Sequence, residues 1–191
     1  MQWNKGRYNV KGSALKNLKT FFNNEQPGGK GFDFWTTGSE TEKVEAIQSS
    51  LWYDVALYYK SIEAVSAELK IDIHPQIERI AGFALENDLN GIYKMIMKLE
   101  GPVKVLAASI QNVKNYFDFV TISIHKNEVG VLTFTSSMPE EFVDYHIPAD
   151  KGAMTGILKV CGYKVDDYNV LLVMKRAEKS FYTVELKYSK T

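Results

Sequence analysis

The chain has 191 residues, 45% of them hydrophobic and 24% charged, which are globular proportions that exclude wholesale disorder. Its 23 Lys and Arg balance 23 Asp and Glu; this removes the electrostatic drive toward nucleic acid or an anionic membrane and leaves association between copies unopposed. The single cysteine, Cys161, excludes an intrachain disulfide and a cysteine-rich metal centre and suits a reducing compartment.

The opening residues 1–12 are polar and lack the apolar run of a targeting peptide. No stretch of the chain has the length of apolar sequence that crosses a bilayer, so a cytoplasmic location is expected. Ser13 stands as an N-cap before Leu15, Leu18, Phe21 and Phe22 at helical spacing, which predicts a helix to about Asn24. Residues 25–39 hold Pro27, Gly28, Gly29 and Gly31 and read as a turn. No Gly-Lys-Ser/Thr follows, so they are not a phosphate loop.

Val44, Ile47 and Leu51 suit a helix entered at Ser39 or Thr41. Val55, Tyr58, Ile62, Val65 and Leu69 suit the next one. Trp52 and Tyr53 fall at its start. A ring wedged between helices is the first expectation for Trp52, and a wall contacted by a flat apolar ligand is the second. As a buried anchor, its loss in Trp52→Ala would cost about 3–5 kcal/mol. Asp72 or His74 caps a helix with Pro75 at its first position and Ile77, Ile80, Ala81, Ala84 and Leu85 on its apolar face. A further helical run over 89–99 ends at Gly101-Pro102, and another follows from Val103 to about Tyr116.

After that the period changes. Residues 119–124 and 129–134 alternate as strands around a turn at Lys126-Asn127-Glu128. Residues 138–148 read as a linker with a short helical turn. Residues 149–161 form a helix with Ala153, Met154, Ile157, Leu158 and Cys161 on one face and Gly162 as C-cap. Residues 168–175 and 181–188 are two closing strands around Ala177-Glu178-Lys179. The order predicts an α+β domain spanning 1–191: a mainly helical part, 1–117, then a strand–strand–helix–strand–strand part, 118–191, with an antiparallel sheet of about four strands.

Little in the chain points to catalysis. His74, His125 and His146 stand apart from one another and from Cys161, so no metal centre is expected. They read as a helix-entry, a strand-end and a linker residue. There is no Gly-x-Ser-x-Gly elbow. Cys161 lies on an apolar helix face, and the adjacent pairs Glu140-Glu141 and Asp166-Asp167 do not converge as acid and base would. One lysine, Lys114, beside Tyr116 and Phe117 makes no nucleic-acid surface. Aromatic candidates for a ligand pocket are Trp52, Tyr53, Phe83 and Phe117.

Four stretches carry a resemblance in order and pattern: Ala107 to Phe117, then Val131-Leu132-Thr133-Phe134-Thr135-Ser136-Ser137-Met138, then Gly152 to Gly162, then the final strands. Together they resemble the H-NOX domain, the haem-based gas sensor, and its wider superfamily with four-vinyl-reductase-type and TRAPP subunit folds. The segments around Val10-Lys11-Gly12 and Ser50-Leu51-Trp52-Tyr53 are also similar to a bacterial domain family of about this length. Where the H-NOX pattern carries a haem-ligating histidine, this chain has Asn112, Val113 and Lys114. Where that pattern carries Tyr-x-Ser-x-Arg for the propionates, this chain has Phe134, Ser136 and Met138, and only the serine fits. The resemblance therefore implies an H-NOX-like fold with no haem and no other cofactor, acting in signalling as a small-ligand sensor or a protein adaptor. The competing reading is an enzyme with a site built from scattered polar residues. The expected partners are an apolar small molecule, a signalling protein and a second copy of the chain, with no nucleic acid and no membrane span.

Overall fold

A computed structural model describes residues 7–26, 47–89 and 92–191. The Pro27–Gly31 turn and most of the helix expected through Val44 lie outside the described residues. Strand β1 (Asn9–Lys11) leads into helix α1 (Gly12–Glu25). The N-cap of α1 is Lys11, not Ser13. The apolar stripe sits as its spacing requires, with Leu15, Leu18, Phe21 and Phe22 all buried.

Residues 47–51 are not helical, and Trp52–Asp54 form strand β2, antiparallel to β1. Helix α2 (Val55–Leu69) then starts on Asp54, whose side chain accepts the Ala56 amide at 2.8 Å. Trp52 is 41% exposed on this small ribbon, with the Lys11 ammonium 4.2 Å above its ring. It is therefore not wedged between helices. Trp52→Ala should cost about 1 kcal/mol or less, the scale of an exposed cation–π contact. A loss above twice that in thermal or urea unfolding would contradict this placement.

Helix α3 (Ile73–Leu89) carries Pro75 as its third residue, inside the first turn, where the missing N–H is harmless. Helix α4 (Ile92–Gln111) is broken at Gly101, whose φ of 75° interrupts the helix where Gly101-Pro102 predicted it. A 3-10 turn (Val113–Asn115) follows α4. It leads to β3 (Thr121–Glu128) and β4 (Val131–Pro139), joined by Val129-Gly130, with Gly130 at φ 87°. The turn thus lies just past Lys126-Asn127-Glu128. Those three polar residues belong to an outer strand that bulges between Ile124 and Lys126.

Helix α5 (Val143–Cys161) starts six residues before the predicted 149 and absorbs Pro148. Gly162 is its left-handed C-cap, as expected. Strands β5 (Tyr163–Arg176) and β6 (Lys179–Lys190) close the chain.

The four long strands form one antiparallel sheet in the order β3-β4-β6-β5. Alternation along β4 and β6 buries Leu132, Phe134, Ser136 and Met138 with Ser180, Tyr182, Val184 and Leu186. This face meets the helices, so the architecture is the α+β layering the sequence predicted. Helices α3 and α5 touch along their backbones: a Cβ placed on Gly152 would lie 2.0 Å from the Glu78 carbonyl oxygen, and one on Gly156 2.5 Å from that of Gly82. Among the described residues no helix is long and apolar enough to cross a membrane.

Candidate functional site

Helices α3 and α5 wall one side of a cavity of about 100 Å³ among helices α1 to α5, to which the sheet contributes Ile122 of β3. Its waist is apolar: Ile62 from α2, Ala81 and Ala84 from α3, Ile110 from α4, and Met154 and Ile157 from α5. Asn17 is a polar residue of the lining. Its amide donates to Asp88 at 3.0 Å, and the Tyr116 hydroxyl donates to the other oxygen of that carboxylate at 2.7 Å. Burial and the Asp88 contact hold the Tyr116 phenol above its ordinary range, so it stays a donor.

Asp150 is a second polar residue of the lining. It is buried on α5, and its Oδ2 accepts both the Ser136 hydroxyl at 2.7 Å and the Tyr182 hydroxyl at 2.6 Å. Strand register produces this arrangement. Ser136 on β4 lies directly opposite Tyr182 on β6, and both point to the helix-facing side of the sheet. Burial raises the Asp150 carboxyl to about 6, while the two hydroxyl donors pull it down.

One turn earlier on α5 stands His146, 2% exposed. Its ring meets Phe117 edge-on at 5.0 Å and Phe119 at 5.7 Å, with Tyr59 at 6.4 Å. Burial drives its pKa down to about 3, so the imidazole is neutral at physiological pH. Its Nε2 is buried without a hydrogen-bond partner. Among the described residues lining the cavity it is the one buried side-chain polar atom left unsatisfied. The cavity is therefore a mostly apolar volume of a few heavy atoms, and His146 in its wall carries a buried nitrogen with no partner.

The sequence-predicted pocket residues fall in different places. Phe117 lines the cavity. Phe83 packs on Phe21 at 5.5 Å and faces a surface groove between α3 and α5. Tyr53 is half-buried, with its hydroxyl accepting the Gln48 amide at 2.8 Å, and Trp52 lies on the surface; neither lines the cavity. His146 is not a linker residue, because α5 begins before it. His74 is exposed, and His125 is exposed with its Nε2 2.7 Å from the Thr135 hydroxyl. Cys161 is buried, which pushes its thiol up and disfavours the thiolate a nucleophile needs. Among the described residues no three His, Cys, Asp or Glu are grouped to hold a metal ion.

Neither a family model nor a curated protein sequence matches the chain. Solved structures do match, at low identity and nearly full length. An H-NOX protein from S. oneidensis is 11% identical with a TM-score of 0.68, over 95% of this chain and 98% of that one. The Fe(II) unliganded H-NOX protein from K. algicida is 14% identical with a TM-score of 0.64, over 93% and 97%. An oxygen-binding H-NOX domain related to soluble guanylate cyclases is 12% identical with a TM-score of 0.64, over 94% and 93%. The chain has an H-NOX-like fold.

That fold raises haem, and the residues present do not fit it. Pockets for larger organic ligands run to about 300–1,000 Å³, the scale a tetrapyrrole needs, and this cavity is about 100 Å³. No Lys or Arg is among its lining residues to meet a propionate. Ser136, which the H-NOX pattern would turn toward a propionate, already donates to Asp150. Val113, from the stretch that stands where the haem histidine would be, lines the cavity as an apolar wall.

Proposed function

We propose that this chain is a haem-free, non-catalytic sensing domain that admits a small apolar molecule into the cavity, with His146 Nε2 as its polar contact. The carrying observation is that orphaned nitrogen on His146, a 2% exposed residue in the wall of a mostly apolar cavity. An unsatisfied buried polar group is costly, and a ligand that satisfies it recovers that cost on binding. The Ser136 hydroxyl is already spent on Asp150, which supports a cavity that works without a propionate-bearing cofactor. A cavity favours ligand sensing over a purely adaptor role, in which the core would be filled. The helical and sheet parts act as one domain, because the cavity takes its walls from both.

The size sets the ligand class. A dry cavity of about 150 Å³ takes benzene, so this smaller one suits a ring of five or six atoms or a shorter chain. Pyrrole and furan share a shape and differ in whether they donate or accept a hydrogen bond. One of the two should raise the melting temperature in a saturable way, approaching about 2.7 kcal/mol of stabilisation at a hundred times its Kd. The other should bind more weakly, and His146→Leu should abolish the difference. No stabilisation by either ring, or equal discrimination in His146→Leu, would overturn the assignment.

A further inference from the structure

Strand β5 is an outer strand of the sheet, and among the described residues no strand pairs with its free edge. One face of its first half is packed: Tyr163, Val165 and Tyr168 are half-buried, and Tyr168 donates to the Ile147 carbonyl of α5. Its second half is not. Val170, Leu171, Leu172, Val173 and Met174 are consecutive and all exposed, Leu171 at 58% and Val173 at 57%. Edge strands are ordinarily blunted by lysine, proline, inward charge or a bulge; residues 169–174 contain no charge and no proline, and their one device is a bulge. A bulge between Val170 and Leu172 leaves Leu171 out of register with β6, with an exposed leucine at the middle of the run.

The charges flanking this run identify its occupant. Asp166 and Asp167 precede it, and Lys175 and Arg176 follow it. An antiparallel strand of the same sequence, centred on Leu172 with Leu171 bulged out, sets Asp167 of each copy against Arg176 of the other. The strand is thus complementary to itself about a two-fold axis. Asp166 and Lys175 already have partners within the chain, Lys164 and Glu140. Among the described residues Asp167 has a hydrogen bond from Asn169 but no cation, and Arg176 has no anion. The two groups left without ion partners are one from each end.

We infer that the β5 edge is a homodimer interface, in which two copies pair β5 against β5 to make one continuous eight-stranded sheet. The isologous contact uses up the apolar edge of both copies and leaves the polar β3 strands outermost, so assembly stops at two. Sedimentation equilibrium of the parent chain should give twice the chain mass, and Leu171→Glu should give the monomer mass with an unchanged circular dichroism spectrum. Asp167→Arg and Arg176→Asp should each weaken dimerisation at least tenfold, and the double variant, which restores complementarity with signs reversed, should recover it. A monomeric parent, open-ended oligomers, a dimer indifferent to Leu171→Glu, or a double variant no tighter than the single ones would each overturn the inference.

Discussion

Between about pH 4 and pH 6, His146→Gln and Asp150→Asn should show opposite trends in stability relative to the parent. His146 has its pKa pulled from 6.5 to about 3 by burial. In that window the unfolded chain holds a proton on this residue that the folded chain does not, so the histidine makes stability rise with pH. Asp150 is raised from 3.8 to about 6 by burial, against the pull of its two hydroxyl donors. There the folded chain holds the extra proton, and the aspartate makes stability fall as pH rises. Each contributes a slope of about 1.4 kcal/mol per pH unit, and in the parent the two largely cancel. Removing the histidine leaves the aspartate's falling slope, and removing the aspartate leaves the histidine's rising one. Across the window the two variants should separate by about 5 kcal/mol in urea unfolding, with every other titrating group common to both. Below about pH 3.8 only the histidine term remains, so the parent should lose stability there and His146→Gln should lose less. Parallel stability profiles for the two variants would show that these side chains are not buried as described.

Gly152→Ala should destabilise the chain by about 2 kcal/mol or more, although alanine is the better helix former by about 1 kcal/mol. The added methyl carbon would sit 2.0 Å from the Glu78 carbonyl oxygen and 2.8 Å from its carbon. Those are backbone atoms of α3, which no rotamer change can move aside, so α3 and α5 must part and loosen the cavity wall they share. The neighbouring contacts set a graded series. Gly156 has 2.5 Å to the Gly82 carbonyl oxygen, and Gly82 has 3.1 Å to that of Gly152. Losses measured by chemical unfolding should follow Gly152→Ala, then Gly156→Ala, then Gly82→Ala. Gly152→Ala melting at or above the parent would refute the close backbone contact.

Much of the architecture was legible because the hydrophobic period itself changes near residue 118, from helical stripes to alternation in the strands. The Gly101-Pro102 break and the Gly162 cap were legible because each is a backbone event with one dominant residue chemistry. The β1–β2 ribbon was not, since strands of three residues are too short to show a period. Its shortness also hid the surface position of Trp52, which apolar neighbours on both sides made look buried.

Two residues of the candidate site were masked by one proline. Pro148 reads as a helix boundary, which put His146 in a linker, yet α5 runs through it. Once α5 is begun at Val143, residues 143, 146, 150, 154 and 157 fall on one face. His146 and Asp150 are then polar residues in an apolar stripe, the signal that would have found them. Of the aromatic candidates, Phe117 lines the cavity, whereas Phe83 packs on Phe21 on the opposite side of α3 from the cavity-lining Ala81 and Leu85.

The most direct test of a cofactor-free cavity in an H-NOX-like fold is the visible spectrum of the protein produced with excess haem precursor, incubated with hemin and desalted. The predicted result is no Soret band in either the parent or His146→Ala. A Soret band in the parent that is lost in His146→Ala would contradict the account, because it would show haem held through the nitrogen assigned here to a small apolar ligand.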